Sequence, residues 1–351
     1  MKRLLIDLSI LRHPYCGLGQ VALNYGRWYG EHAKELPAEV TLLVPKSFVG
    51  AFGQEVDYLQ VRDCYRVMPW LMPKYDIWQS IHQLSPFRPS DCATCHMVTI
   101  HDVNFMYEKH GRKREHYRSR LQKECDRADC IVFISHFVEE DTRRHINLEG
   151  KATQVIYNGV EDMLEGIQRK PSDVDEAVPF LLNIGVVRPK KNNHLLLPMM
   201  DLLPDYRLVI AGDDSGAYAQ HIREQLPRHA NVQLLGTVDA EERCWLYAHC
   251  AGLVMPSLYE GFGLPIIEAM QWGRPVFCSQ MTSLPEIGSC YVSYFPSFEP
   301  AAMAQTVRAG LAQTDTMRAT AAQQYAASFS YSRHMEEYWK IITKIICSYN
   351  K

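Results

Sequence analysis

The chain has 351 residues, of which 47% are hydrophobic and 22% charged, and its formal net charge is −3. This length allows two domains that each bury a core, and the composition excludes a chain that is disordered, collagen-like or coiled-coil throughout. The slightly acidic balance gives no reason to expect nucleic acid as a partner.

Short apolar runs alternate with helical patterns along the first half of the chain, which predicts parallel α/β structure. Strands are predicted at Lys2–Leu8, Val40–Val44, Ile77–Ile81, Met97–Ile100, Cys130–Ile134 and Val155–Tyr157. Residues 16–20 are predicted to form a loop with two glycines before a helix at about Val21–Lys34, and a long charged helix is predicted at Tyr107–Asp126. Ser135 is the expected N-cap of the next helix, and Asn158–Gly159 is a turn signal.

A polar, acidic stretch from Glu161 to Ala177 is the predicted linker, which places a first domain at residues 1–165 and a second at residues 166–330. Further strands are predicted at Pro179–Val187, Tyr206–Gly212, Val232–Leu235, Gly252–Met255, Val276–Ser279 and Tyr291–Tyr294. A last helix, at about residues 331–349, has one apolar face, so we expect it to pack back on the first domain. The pattern predicts an α/β fold of two Rossmann-like, doubly wound domains.

The eleven cysteines are scattered, and several stand in apolar runs. They indicate free thiols in a reducing compartment rather than a disulfide framework. Cys92–His96 matches the Cys-x-x-Cys-His pattern of haem attachment, but it abuts a predicted strand and a haem is not expected.

No apolar run reaches the roughly 20 residues that cross a bilayer, and Asp7 interrupts the apolar start, which favours a strand over a signal peptide. The expected location is the cytoplasm.

The most informative stretch is Pro256–Met270, where a strand leads into a glycine-rich loop and then into a helix that starts near Leu264 and Pro265. Proline suits the first helical turn, and Gly261 and Gly263 allow the backbone to approach a ligand closely. Unpaired amides at the start of a helix, together with the helix dipole, form an anion site that suits phosphate.

Two glutamates flank this helix start. Glu268 lies about one turn into the helix, where its carboxylate can accept hydrogen bonds from a vicinal diol such as a ribose. Glu260 precedes the amides, so its carboxylate can accept hydrogen bonds from a sugar attached beyond the phosphates.

The pair Glu260 and Glu268, which encloses Gly-Phe-Gly-Leu-Pro, resembles the signature of the retaining glycosyltransferases of the GT-B fold, glycosyltransferase family 4. Other segments resemble motifs of the family in the same order, namely Gly17–Gly19, Thr99–Asp102, Tyr157–Val160, Gly185–Asn192, Leu235–Val238 and Ser283–Glu286. The resemblance covers roughly residues 1–345. It implies two Rossmann-like domains that face each other across a cleft holding the active site.

The resemblance implies a nucleotide diphosphate sugar as donor, bound mainly by the second domain. Glu268 would then hold the ribose, Glu260 the hydroxyls of the donor sugar, and Val238 would lie in the loop on the nucleobase side. The residues of the glycine-rich loop that would bind sugar and phosphate are Gly261, Phe262, Gly263 and Leu264.

The resemblance also implies cations for the diphosphate. Lys191 would neutralise it, with Arg188 or Lys190 as a partner. Many family members carry arginine where this chain has Val186, and lysine lacks the bidentate geometry of arginine. Which residue provides the second cation therefore stays open.

Three residues of the first domain complete the implied site. Gly17 and Gly19 would allow the loop after the first strand to close on the diphosphate. His101 would lie near the donor sugar and the acceptor, whereas Asp102 is expected to orient the loop.

The implied mechanism is electrostatic, because cleavage of the anomeric C–O bond leaves negative charge on the diphosphate, which cations and helix-terminal amides stabilise. No carboxylate stands out as the nucleophile that retaining glycosidases use. We therefore expect front-face attack, in which the leaving phosphate oxygen takes the proton of the acceptor, with His101, Glu260 and Lys191 as catalytic residues. No cofactor or metal is expected, since the Asp-x-Asp pattern Asp173–Asp175 lies in the predicted linker.

The expected reaction moves a hexose-type sugar, with GDP-mannose preferred and a UDP-sugar as the alternative, to a lipid-linked or cell-surface glycan. Residues 109–123 are strongly basic, and they form either a solvated helix face or a patch for anionic lipid at the inner face of the membrane. Two rivals stay open: a non-catalytic homologue that acts as a partner subunit of an active transferase, and another GT-B enzyme such as a nucleotide-sugar epimerase.

Overall fold

A computed structural model of the chain describes residues 1–14, 17–89, 94–313 and 315–348. Internal contacts divide it into two units. The first unit contains Met1–Gly159 and the segment from Tyr331 onward, and the second contains Val160–Ser330.

Two parallel sheets form the centres of the units. The strands are β1 (Lys2–Asp7), β2 (Ala38–Val44), β3 (Asp57–Gln60), β4 (Ile77–Ser80), β5 (Cys95–Ile100), β6 (Cys130–Phe133), β7 (Ala152–Val155), β8 (Phe180–Ile184), β9 (Arg207–Ala211), β10 (Val232–Gly236), β11 (Gly252–Met255), β12 (Val276–Cys278) and β13 (Ser293–Tyr294). The first sheet has the order β3-β2-β1-β4-β5-β6-β7 and the second the order β10-β9-β8-β11-β12-β13. Both orders confirm the predicted α/β class with two doubly wound, Rossmann-like sheets.

Helices cover the sheets. They are α1 (Gly17–His32), α2 (Cys64–Val67), α3 (Phe105–Glu108), α4 (Gly111–Arg127), α5 (His136–His145), α6 (Leu196–Asp201), α7 (Ala217–Gln225), α8 (Ala240–His249), α9 (Leu264–Gln271), α10 (Leu284–Gly288), α11 (Pro300–Ala312), α12 (Thr316–Ala327) and α13 (Tyr331–Ser348). Among the helices described, none combines the length and the apolar character needed to cross a bilayer.

The last helix, α13, belongs to the first unit. Its residues Tyr338, Ile342 and Ile346 are buried in the same core as β1 and α1. His334 receives a hydrogen bond from the hydroxyl of Tyr25 and lies 2.7 Å from the carbonyl of Tyr157. The apolar face that the sequence predicts for this last helix is thus buried in the core of the first unit.

The boundary between the units lies before the expected linker. The amide of Val160 donates to the carbonyl of Phe329 at 2.8 Å, so the chain enters the second unit directly after Gly159. The polar stretch that follows is attached to that unit, because Arg169 forms ion pairs with Asp239, Glu241 and Glu242 at the start of α8. The polar composition of this stretch predicted a linker, but Arg169 in it forms ion pairs with carboxylates of the second unit.

Several predicted elements differ in their bounds. The strand predicted at residues 155–157 is β7, which pairs with β6 and ends at Val155. The helix predicted at residues 107–126 is two helices, because Gly111 starts α4 with a φ of +53°. Short, polar β3 pairs only with β2 at the sheet edge, and its sequence lacks the apolar alternation that would have indicated a strand.

The glycine segment of the first unit is helical rather than a loop, since α1 already includes Gly17 and Gly19. A Cβ at Gly19 would lie only 2.3 Å from the carbonyl oxygen of His13. Glycine is a poor helix former, but here its missing side chain lets the helix start pack against the preceding backbone.

Candidate active site

The second sheet reverses its strand order between β8 and β11, and such switch points are where open α/β sheets bind ligands. Asn183 in β8 donates to the carbonyl of Val254 in β11 at 2.7 Å. The loop after β8 continues through residues 185–192 and the loop after β11 through residues 256–263. The two loops are joined where the amide of Leu258 donates to the carbonyl of Lys190 at 2.8 Å.

The central contact of these loops is an ion pair between Lys191 and Glu260. Lys191 Nζ donates to Glu260 Oε1 at 2.6 Å, and the two side chains are only 16% and 13% exposed. Gly185 lies beside the lysine, since a Cβ there would be 3.4 Å from Nζ, and its φ of +133° favours glycine at this position. An ammonium and a carboxylate are thus held side by side at the ends of the strands.

The loop that carries Glu260 is held by two hydroxyl side chains. The amide of Glu260 donates to Thr282 Oγ1 at 3.0 Å. Ser283 Oγ lies 3.0 Å from the carbonyl oxygen of Glu260 and 2.9 Å from that of Phe262, and its hydroxyl donates there. These contacts hold the backbone of the loop in place next to the start of α9.

The start of α9 has the geometry of an anion site. Gly263 adopts a left-handed φ of +109°, and Pro265 stands in the first turn. Within the residues that the structure describes, the amides of Gly263 and Leu264 have no acceptor. Helix-terminal amides of this kind bind phosphate.

Glu268 is held by α8. Tyr247 donates its hydroxyl to Glu268 Oε2 at 2.5 Å, and Arg243 Nη1 lies 3.5 Å from Oε1. Burial, followed by the nearby Glu268 carboxylate, raises the pKa of Tyr247, and Glu268 raises the pKa of Arg243. The carboxylate keeps lone pairs that can accept further hydrogen bonds.

Arg243 and Tyr247 were not among the residues expected from the sequence. They are four positions apart on α8, and this spacing puts both side chains on one helix face. Arg243 also lies 3.5 Å from Glu161, at the start of the former linker. Only the spacing could have signalled them, because no motif marks the pair.

Three further residues of the second unit were expected at the site, namely Arg188, Lys190 and Val238. Arg188 is exposed and Lys190 half-buried. Val238 is half-buried and comes directly before Asp239, the N-cap of α8. Lys191, by contrast, has the close carboxylate contact with Glu260 described above.

In the first unit, His101 follows β5 and is buried. Its Nε2 lies 2.7 Å from the carbonyl of Ile81, and its amide donates to Gln83 Oε1 at 3.1 Å. Burial lowers the pKa of His101. The neutral ring therefore donates through Nε2 and keeps Nδ1 as an acceptor.

Two neighbouring residues of the first unit have structural contacts. Asp102 accepts hydrogen bonds from the backbone and side chain of Asn104, and so orients the turn into α3. Ser135 Oγ accepts from the amide of Val138, which confirms the predicted N-cap.

Residues that suggested metal or haem chemistry do not assemble a site in the part of the chain described. No group of three or more histidine, cysteine, aspartate or glutamate side chains there is placed to hold a metal ion. Asp175 pairs instead with Arg207 at 3.2 Å. Cys92 lies outside the described residues, and His96 is buried against Ser80 at 3.0 Å.

Two family models match the chain. The model described as "Glycosyl transferases group 1" matches residues 165–326 and the model "Glycosyltransferase Family 4" matches residues 26–163. All of the expected site residues of the second unit lie in the first match, and His101 lies in the second. Gly17 and Gly19 precede both matched ranges.

Curated relatives include the O-antigen chain mannosyltransferase B of Escherichia coli, 33% identical over 54% of this chain and 54% of that protein. The O-antigen chain mannosyltransferase RfbU of Salmonella typhimurium is 28% identical over 65% of this chain and 68% of that protein. The match thus spans only about half the length of the first of these relatives.

Solved structures match nearly the whole chain. Sucrose-phosphate synthase from Thermosynechococcus elongatus has a TM-score of 0.74 at 17% identity, over 99% of this chain and 100% of that one. Anabaena HepE in complex with UDP and glucose has a TM-score of 0.71 at 18% identity, over 98% and 100%. At this identity the likeness shows the fold, and it confirms the predicted GT-B class.

Proposed function

From the premise that this chain belongs to glycosyltransferase family 4, we propose that it transfers a hexose-type sugar from a nucleotide diphosphate sugar to a lipid-linked or cell-surface glycan, with retention at the anomeric carbon. The observation that carries this proposal is the Lys191–Glu260 pair beside the start of α9. A cation and helix-terminal amides suit a diphosphate, and a carboxylate suits the hydroxyls of the attached sugar.

Each of these residues binds a different part of the donor. Lys191 and the amides of Gly263 and Leu264 bind the diphosphate and stabilise the negative charge that it gains as the anomeric bond breaks. Glu260 accepts hydrogen bonds from the sugar hydroxyls. Glu268, held by Tyr247, accepts hydrogen bonds from the ribose.

The remaining assignments follow the same chemistry. Arg188 or Lys190 supplies the second cation, and Val238, Gly261 and Phe262 line the donor. Gly17 and Gly19 contribute backbone to diphosphate binding. These roles need no metal and no cofactor.

Attack occurs on the face from which the diphosphate leaves. The acceptor hydroxyl forms the new bond to the anomeric carbon as the bond to the phosphate oxygen breaks, and its proton passes to that oxygen. His101, kept neutral by burial, contacts the donor sugar or the acceptor through a ring nitrogen and carries no charge into the step.

GDP-mannose is the preferred donor, and a UDP-sugar is the alternative. Two named mannosyltransferases of O-antigen chains among the relatives support mannose and a cell-surface glycan. An acceptor assembled on a lipid would place the protein in the cytoplasm, at the inner face of the membrane.

A thermal-shift panel of GDP, UDP, GDP-mannose and UDP-glucose, each with and without Mg²⁺, tests this proposal. A ligand at about 100 times its Kd stabilises the folded state by roughly 2.7 kcal/mol, which is a readable shift. We expect a shift with one base, largest for its sugar, that EDTA leaves unchanged. Loss of the shift in EDTA would contradict the metal-independent mechanism.

A non-catalytic partner subunit is the second candidate, and the panel separates it from a transferase. Folded protein that no nucleotide stabilises would support the partner subunit. An epimerase would convert the donor sugar without an acceptor, which product analysis of the same mixtures detects.

A further inference from the structure

The first unit carries a cationic depression between the segment after β3, the loop after β4 and α4. A cavity of about 460 Å³ is lined by Arg66, Val67, Pro86 and Arg120, with Asp63 at its side. A second cavity of about 250 Å³ shares Arg66, Pro86 and Arg120 with it. The further cationic residues that line the second cavity are Arg88, Lys123 and Arg127.

The acidic groups at the depression are already paired. Asp63 accepts from Arg12 at 3.2 Å, and Glu124 accepts from Arg127 at 3.1 Å. Burial raises the pKa of Glu124, and the nearby Arg127, Arg120 and Arg88 lower it. The cations that line the two cavities outnumber these two carboxylates, so the depression carries a net positive charge.

Its cations are of two kinds. Arg120 is held rigidly, because its Nη2 donates to the carbonyls of Leu84 and Ser85 at 2.7 and 3.2 Å. The side chains of Arg66, Arg88 and Lys123 have no hydrogen bond or ion pair to any described residue. A fixed guanidinium with these exposed cations around it is suited to a phosphate group.

An apolar rim adjoins the depression. The short helical segment after β3 buries Tyr65 and Met72 in the core, and its other face leaves Val67, Trp70 and Leu71 exposed by 75%, 67% and 52%. Val67 itself lines the larger cavity. Tyr65 and Met72 pack in one core cluster with Phe87, the neighbour of Arg88 in the chain. The segment that carries the rim and the loop that carries Arg88 are therefore anchored in the same core.

Exposed tryptophan and leucine beside arginine and lysine match the chemistry of a membrane interface. Tryptophan prefers the level of the headgroups, and cations next to it bind the phosphates of anionic lipids. We propose that this surface, Arg66–Leu71 with Arg88, Arg120 and Lys123, docks the protein on a bilayer and seats the phosphodiester headgroup of an anionic lipid in the depression.

This inference differs from a diffuse role of the basic stretch at residues 109–123. Within that stretch Arg118 pairs with Glu115, and Arg112 and Lys113 lie at the start of α4 and line neither cavity. Only Arg120 and Lys123 of the stretch reach the depression. The remaining contributors, Arg66, Arg88 and Trp70, lie outside it in sequence.

The test is co-sedimentation of the full chain with vesicles of phosphatidylcholine alone or mixed with phosphatidylglycerol. We expect binding to the mixed vesicles only, weakened about tenfold or more in the double variant Arg88→Ala/Lys123→Ala. The matched control Arg112→Ala/Lys113→Ala removes the same charge from the start of α4, outside both cavities, and should keep binding. Equal loss in both double variants would overturn the proposal in favour of a diffuse basic face.

Trp70 provides a second readout, because it is the only exposed tryptophan of the six, all of which lie among the described residues. Vesicles with brominated acyl chains should quench its fluorescence, and Trp70→Phe should remove that quenching. An unquenched Trp70 on bound vesicles would exclude insertion of the rim.

Free inorganic diphosphate separates a lipid site from a soluble anion site. If it stabilises the protein through Arg88 and Lys123 while no vesicle binds, the depression takes a soluble anion and the proposal is wrong. The nucleotide thermal shift of each variant is measured in parallel. The variants should leave that shift unchanged, so failure of lipid docking is distinct from failure of the transferase function.

Discussion

Lys191 Nζ lies 2.6 Å from Glu260 Oε1, although the two residues are 69 positions apart in the chain. Each side chain neutralises the other while both are withdrawn from solvent. A bound donor would replace this contact, since its diphosphate attracts the ammonium and its hydroxyls attract the carboxylate. On the proposed function, the pair would thus link binding of the two halves of the donor.

Replacing Lys191 by alanine should weaken binding of the nucleoside diphosphate. A hydrogen bond to a charged group is worth about 1.5–3 kcal/mol, which corresponds to an affinity loss of about tenfold to more than a hundredfold. Titration calorimetry measures this loss, with Lys190→Ala as the neighbouring comparison. An affinity equal to that of the unmodified chain would remove Lys191 from the diphosphate site.

Replacing Glu260 by glutamine should separate turnover from nucleotide affinity. Glutamine keeps the shape of the side chain but releases Lys191 from its ion pair, so affinity for the free nucleoside diphosphate should stay equal or rise. Turnover should fall by about a hundredfold or more, because the sugar loses a charged hydrogen-bond acceptor in the transition state. Turnover at the original rate would show that Glu260 does not contact the donor sugar.

Glu268→Gln should weaken nucleotide binding about tenfold, because the charged acceptor for the ribose diol is lost. Tyr247→Phe should have a smaller effect, since it removes only the group that orients the carboxylate. A cycle with the 2′-deoxy and 3′-deoxy nucleotides identifies the contact. The deoxy penalty should be large in the original chain and small in Glu268→Gln, and equal penalties in both would contradict the ribose assignment.

Buried histidines should make the first unit sensitive to acid. Burial lowers the pKa of His82 to about 3, and those of His96 and His334 to about 4, from an ordinary value of 6.5. The unfolded chain therefore binds protons that the folded chain does not, and stability falls as the pH drops from about 6.5 towards 4. Each such histidine costs about 2 kcal/mol at pH 5.

Thermal unfolding between pH 7.5 and pH 5 measures this effect. His334 is the sharpest probe, because its neutral form accepts from Tyr25 through Nε2 and donates to the carbonyl of Tyr157 through Nδ1. His334→Gln should unfold earlier at pH 7.5 but lose less stability on acidification. An equal slope against pH in both proteins would exclude His334 from the effect.

The sequence was most informative where a local pattern and the sheet topology agree. The glycine loop and the start of α9 were predictable because Gly263 and Pro265 determine backbone conformation directly. The proximity of Lys191 and Glu260 follows from two loops at neighbouring strand ends, once the strand order is known. Their direct ion pair does not follow, since it depends on the side-chain conformations of both residues.

Other features depend on long-range contacts that one sequence does not record. Tyr247 reaches the predicted site only because the fold brings its hydroxyl within hydrogen-bond distance of Glu268. The stretch after Glu161 has the polar composition of a linker, but Arg169 pairs it with the acidic start of α8. Tryptophan is usually buried, so the sequence alone would place Trp70 in the core. Only the fold shows that its segment buries Tyr65 and Met72 instead and leaves Trp70 exposed.

The most direct measurement of the central claim is a proton NMR time course of GDP-mannose and, separately, UDP-glucose with the full chain, followed through slow transfer of the sugar to water. Both donors have the α configuration. We expect one donor to be consumed without added metal, its nucleoside diphosphate to be released, and the α-anomer of the free sugar to appear first. First appearance of the β-anomer would contradict retention, and two intact donors beside folded, nucleotide-binding protein would contradict the transferase itself.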